Sequence, residues 1–228
     1  MARRNADSWG AGAVPADCQR PATGYLSLMM EDFEQLFARV SACRLCADRF
    51  AGTATAHEPR PVLRARPGAR ILIAGQAPGA RVHASGLPFD DPSGDRLRDW
   101  MGVDREVFYD QSRVAVVPMA FCFPGYDDKG SDLPPPPICA KTWRDQVMAA
   151  LPGVELTLII GQYAQKWHLG AIRGKSVTET VRNWRAQLPD RLTLPHPSWR
   201  NTAWLKKNRW FEEEVVPWLR ARVAELAG

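Results

Sequence analysis

No apolar run in this chain approaches the ~18–20 residues that a helix needs to cross a bilayer, which excludes a helical membrane protein. The first 24 residues are rich in Ala, Gly, Arg and Pro and carry no apolar h-region. They read as a mobile tail over 1–24 and not as a secretory leader. Cysteine is scarce, five in 228 residues. Without an export signal those five do not read as a disulfide framework. No internal repeat appears and no composition break marks a second domain, so 25–228 is expected to be a single domain.

What the chain does contain is an ordinary globular composition, 45% hydrophobic and 24% charged, with enough length for a proper core. The net charge of +5 permits a nucleic-acid partner without demonstrating one. Placement matters more than the sum. Arg200, Lys206, Lys207 and Arg209 cluster near the C-terminus among Trp199, Trp204 and Trp210. Basic residues interleaved with aromatics suit a surface that tracks a nucleic-acid strand. The competing reading is an amphipathic helix whose Trp204 and Trp210 belong to the core.

Hydrophobic periodicity predicts a helix from near Glu31, with Phe33, Leu36, Phe37 and Val40 on one face, running into a Cys43–Cys46 turn. An extended, Pro- and Arg-rich connector follows over His57 to Pro67. Strands are predicted over Ala69 to Ala74, Val114 to Met119, Glu155 to Ile160 and Arg191 to Leu194. Helices are predicted over Gly94 to Met101, Ala140 to Leu151, Gly161 to Leu169 and Val177 to Gln187, with two more at the C-terminus. This alternation predicts an α/β fold, a three-layer α/β/α sandwich around a central, mainly parallel four-stranded sheet. The loop from Gln76 to Ser93 is long and Gly/Pro-rich, which marks it as functional.

Two of these strands end in turns that carry polar side chains. One runs Ile71-Leu72-Ile73-Ala74-Gly75-Gln76-Ala77-Pro78-Gly79, the other Leu192-Thr193-Leu194-Pro195-His196-Pro197-Ser198-Trp199-Arg200-Asn201. Neither is a Walker A loop or a dinucleotide fingerprint. Open α/β sheets bind ligands beyond the carboxyl ends of their strands, so the two loops nominate one shared site. The cysteines suggest a second feature. Cys43 and Cys46 have ligand spacing, and Cys122 and Cys139 flank a loop with four consecutive prolines. By themselves they fit zinc, an iron–sulfur cluster or unrelated buried thiols.

GQAPG followed by GLPF, and later HPSWRN, resembles the signature motifs of the uracil-DNA glycosylase superfamily, most closely its iron–sulfur branches, families four and five. The likeness runs from about Cys43 to the C-terminal helix in four ordered blocks. It implies a monofunctional glycosylase that flips uracil out of DNA, hydrolyses its N-glycosidic bond, releases uracil and starts base excision repair. It also implies a monomer acting in the cytoplasm at the nucleoid, with no membrane partner. A 4Fe–4S cluster on Cys43, Cys46, Cys122 and Cys139 follows from the same likeness, with structural zinc on those thiolates as runner-up. Cys18 is left free in the tail.

Within the resemblance, Phe89 is the aromatic on which the base stacks, and His196 donates to its departing oxygen. The turn Gly75-Gln76-Ala77 contributes backbone donors. Relatives place a carboxylate in that turn, as Asp where Ala77 stands or as Glu where Gln76 stands, and this chain has neither. The Asp-Pro-Ser-Gly-Asp pattern after Phe89 instead resembles that of family five, making Asp91 the catalytic candidate and Asp90 the next. The rival role for Asp91 is a helix N-cap. His83 is a candidate for sugar or phosphate, and Ser198 and Asn201 for phosphates. Trp199 or Arg200 would fill the gap left by the flipped base. Pro118 replaces an asparagine that reads uracil in family four, which opens the choice of base. Two competing readings are a DNA-binding module of this fold with little catalysis, and a redox protein built on the cysteines.

Overall fold

A computed structural model describes residues 22–228, with side chains from Asp32 onward. The tail assigned to 1–24 falls almost wholly outside that range, as does Cys18. The chain runs α1 (Ala22–Ser41), α2 (Ala47–Ala51), β1 (Ile71–Ala74), α3 (Ala80–Ser85), α4 (Pro92–Met101), α5 (Arg105–Tyr109) and β2 (Val114–Val116). It continues through α6 (Pro137–Ala149), β3 (Leu156–Ile160), α7 (Gln162–Leu169), α8 (Val177–Arg182), β4 (Arg191–Leu194), α9 (Thr202–Lys207) and α10 (Val216–Ala227). The strands form one sheet in the order β2-β1-β3-β4, and every pairing is parallel.

Continuous apolar runs explain the central strands. Every residue of β1 and β3 is buried, as a parallel sheet covered on both faces requires. Alternate residues serve opposite layers. Ile71 and Ile73 pack with Leu97, Trp100, Phe211 and Leu219, while Leu72 packs with Phe33, Val40, Trp143 and Val147. Helices α4 and α10 thus cover one face, α1 and α6 the other.

Several boundaries differ from the sequence reading. α1 begins at Ala22, well before Glu31. β2 stops at Val116 and does not reach Met119; Pro118 has no N–H to give a ladder. The stretch predicted as one helix over 177–187 divides into α8 and a 3₁₀ turn from Trp184 to Gln187. The long loop after β1 contains α3, too short to display a period. The extended connector has a structural use: Arg64 and Val116 exchange backbone hydrogen bonds of 3.0 and 2.6 Å, covering the open edge of β2.

Candidate active site

Because all four strands are parallel, their carboxyl ends share one edge, and each delivers residues to a single cleft of about 630 Å³. Gly75 to Gly79 come from the end of β1, Val116 and Pro118 from β2, Ile160 and Gly161 from β3, and His196 from beyond β4. Phe89, Asp91, Ser198, Trp199 and Arg200 complete much of the wall.

His196 lines the cleft and is exposed there, with enough protein around the ring to desolvate it in part. Burial lowers its pKa from the ordinary histidine value, against the Asp91 and Asp132 carboxylates, which raise it. The backbone N–H of Ser198 donates to Nδ1 at 3.2 Å. Nδ1 must therefore accept, so the neutral ring carries its proton on Nε2. Asn201 donates from Nδ2 to the His196 carbonyl at 2.7 Å, bracing this loop from within.

Asp91 is the N-cap of α4: Oδ1 accepts from Gly94 N at 2.9 Å, the helix-capping role foreseen for it. It also lines the cleft, so one carboxylate serves both purposes. Asp90 turns away to Arg105 at 2.8 Å, and that contact holds its carboxyl below the usual range. Arg96 of α4 donates to the Ser198 carbonyl at 3.0 Å and to Thr202 Oγ1 at 3.4 Å. The helix that starts at Asp91 is thereby strapped to the loop that carries His196.

Phe89 adopts φ 56°, a left-handed conformation that costs a residue with a Cβ about 1–3 kcal/mol. Its surroundings hold it there. Arg98 donates to its carbonyl at 3.3 Å, Tyr109 O–H donates to the Pro88 carbonyl at 2.9 Å, and the Phe108 ring meets it edge-on. The far end of the Phe89 ring comes within 4.0 Å of where a Cβ on Gly75 would lie, so glycine leaves room beside it.

Other candidates lie elsewhere. The His83 ring packs edge-on against His57 at 4.9 Å and close to Phe123, with Nδ1 buried and unpartnered. Lys206, Lys207 and Arg209 are exposed at the end of α9 and just beyond it, and only Arg200 of the basic cluster reaches the cleft. Trp204 and Trp210 are half-buried against the core, as the amphipathic-helix reading had it. Trp199 is 74% exposed at the cleft, with Arg200 over its ring. Gly161 and Asp132 are among the lining residues that were missed in the sequence. Gly161 follows a strand just as Gly75 does and could have been found by that signal; Asp132, in the proline-rich loop, had none.

The four cysteines Cys43, Cys46, Cys122 and Cys139 line a separate small cavity with Phe50, Phe121 and Trp143. Trp143 Nε1 donates to Cys43 Sγ at 3.3 Å and Phe121 N donates to Cys139 Sγ at 3.4 Å. Burial pushes Cys122 up to about 12 and Cys139 to about 11. Among the described residues, no three His, Cys, Asp or Glu side chains are grouped so as to hold a single metal ion. Residues 64–220, well over half of the chain, match the family model of the uracil DNA glycosylase superfamily.

Proposed function

The chain belongs to the uracil DNA glycosylase superfamily, and on that premise we propose that it is a monofunctional glycosylase that excises uracil from DNA. The observation that carries this reading is the meeting of Phe89 and Asp91, from the loop before α4, with His196, from the distant loop after β4, in one cleft. Hydrolysing an N-glycosidic bond builds positive charge on the sugar and negative charge on the departing base. Phe89 offers a face for a flipped base. His196 offers a neutral Nε2–H to the base oxygen, so the donor needs no prior protonation. Asp91 sets an anion where the sugar becomes cationic and where water must be held.

Gln76 uses its carbonyl to accept from Ala120 N at 3.1 Å, leaving its side chain to the cleft as a reader of the base edge. Trp199 and Arg200 at the mouth suit the gap that a flipped nucleotide leaves. No lysine is among the residues lining the cleft, which supports simple hydrolysis over an amine-dependent lyase step. The reading entails a monomer acting in the cytoplasm at the nucleoid. No described helix is long and apolar enough to cross a membrane.

Cys43, Cys46, Cys122 and Cys139 would hold a 4Fe–4S cluster, whose contribution is to clamp the turn after α1 to the loop that borders the cleft. Four sulfurs around a common cavity, two of them receiving N–H donors, suit a polynuclear centre. Iron and acid-labile sulfide assays on anaerobically purified protein check this. One zinc per chain would replace the cluster without touching the glycosylase.

The deciding experiment incubates the protein with oligonucleotides bearing one uracil, hypoxanthine or xanthine, then adds alkali. Strand scission at uracil is the expected result. Tight binding without scission would instead make this a damaged-DNA-binding module, a reading that Ala77 favours because relatives carry a carboxylate there.

A further inference from the structure

The loop that carries His196 has few backbone donors with which to hold itself in place. Pro195 and Pro197 flank the histidine, and neither has an N–H to give. Ser198 is therefore the first residue after His196 with a backbone donor, and that donor goes to Nδ1 at 3.2 Å. The Ser198 carbonyl accepts from Asn201 N at 3.0 Å, closing a short turn. Asn201 Nδ2 in turn holds the His196 carbonyl at 2.7 Å. These contacts set the inner shape of the loop. None of them sets where the loop sits against α4 and Asp91.

Arg96 supplies that link. The Ser198 carbonyl accepts from its Nη1 at 3.0 Å, and its Nη2 reaches Thr202 Oγ1 at 3.4 Å, where α9 begins. Among the described residues, no other side chain from outside 195–201 gives a hydrogen bond to that segment. Both acceptors are neutral, and the neighbouring acids of α4 are engaged elsewhere, Asp95 with Arg98 at 2.6 Å and Asp99 with Arg220 at 3.1 Å. The half-buried guanidinium is planar and presents its donors in fixed directions, so it fixes two acceptors relative to each other and to its own helix. Asp91 caps that same helix. One rigid element thus carries the carboxylate at its start and the clamp on the imidazole loop one turn later.

We propose that Arg96 is a positioning residue for base excision: through Ser198 it holds His196 at the place, and in the tautomer, that present Nε2–H to a base leaving a sugar beside Asp91. This rests on reading the cleft as a glycosylase site. Arg96 is not among the residues that line the cleft, so it acts through the loop and not on the substrate. A donor misplaced by about 1 Å can cost about 10²-fold in rate, so the effect belongs to the chemical step and not to DNA affinity.

Parent, Arg96→Gln and Arg96→Lys proteins are compared in three measurements. These are single-turnover cleavage of a uracil oligonucleotide at saturating protein, affinity and its salt slope on the same oligonucleotide lacking uracil, and the ¹⁵N NMR signals of the His196 ring. Arg96→Gln, which loses the charge and the fork, should cleave at least about tenfold more slowly. Arg96→Lys, which keeps the charge and can reach one acceptor, should be slowed by about threefold. Affinity should stay within about twofold of the parent in both, with the salt slope unchanged. The Nδ1 signal, unprotonated in the parent, should move toward that of a ring exchanging its two tautomers. Parent-like cleavage by Arg96→Gln overturns the proposal, as does a slowed variant whose Nδ1 signal has not moved. A loss confined to affinity, with the salt slope flattened by about one unit, also overturns it and makes Arg96 a phosphate contact. If Arg96→Gln does not fold, Arg96→Lys decides by the same criteria. A parent that leaves every modified base intact overturns the glycosylase reading and this proposal with it; an active parent with an indifferent Gln variant overturns this proposal only.

Discussion

The Ser198 N–H that points at Nδ1 of His196 decides which ring nitrogen carries the proton, leaving Nε2 as the ring's donor. His196→Ala removes that donor and should reduce single-turnover cleavage by roughly 10²–10³-fold with folding intact. A loss confined to substrate affinity would leave His196 as a positioning group only. Asp91→Asn is the sharper test, because Asn caps a helix about as well as Asp and stability should hardly move. Cleavage should fall by at least ~10²-fold. Asp91 is also one of the carboxylates that raise the His196 pKa. Removing it should move the acid limb of the kcat/KM profile to lower pH, since less acid-favouring charge then faces the ring. Asp90→Asn breaks only an exposed pair with Arg105, and near-normal cleavage is expected from it.

Helix α4 does three jobs with few residues: Asp91 caps it, Arg96 straps it to the His196 loop and Arg98 holds the Phe89 carbonyl. Its first turn lies so close to Phe89 that a Cβ on Gly94 would come within 1.8 Å of the Phe89 oxygen. Backbone must then move, in a segment already held in a left-handed conformation. Gly94→Ala should destabilise the protein by about 1–3 kcal/mol, read from the denaturant midpoint. It should also raise KM for a uracil oligonucleotide as the stacking ring shifts. An unchanged KM would separate the position of Phe89 from base binding.

Across the whole molecule, histidines with lowered pKa values set an acid limit on stability. His168 is held at about 3, and His83 and His196 are also lowered, in each case chiefly by burial. The unfolded chain takes up protons near ~6.5, before the folded one does. Stability is therefore complete above ~6.5 and declines as pH falls toward about 3, where His168 finally protonates in the fold. Denaturant midpoints should drop between pH 7 and pH 5, and His168→Gln should weaken that dependence. DNA affinity should fall steeply with salt. Arg200→Ala, at the cleft mouth, should flatten the salt slope by about one unit. Lys206, Lys207 and Arg209 lie outside the cleft lining, and unchanged slopes in all four variants would place the DNA track on another face.

Local pattern alone determined the four strands, their parallel arrangement and the two loops that meet at one edge. Buried strands are written as short apolar runs, and a strand's end is written as the glycine or proline that breaks it, as at Gly75 and Pro195. These signals are carried by neighbouring residues and survive without knowledge of the fold. The division of labour between Asp90 and Asp91 was not legible, because it depends on Arg105 of α5 reaching one of them and the cleft opening beside the other. The same holds for Asp132, whose carboxylate shares the cleft with His196. Each depends on what a distant segment packs against a side chain, and burial, field and hydrogen-bond partner are properties of that packing.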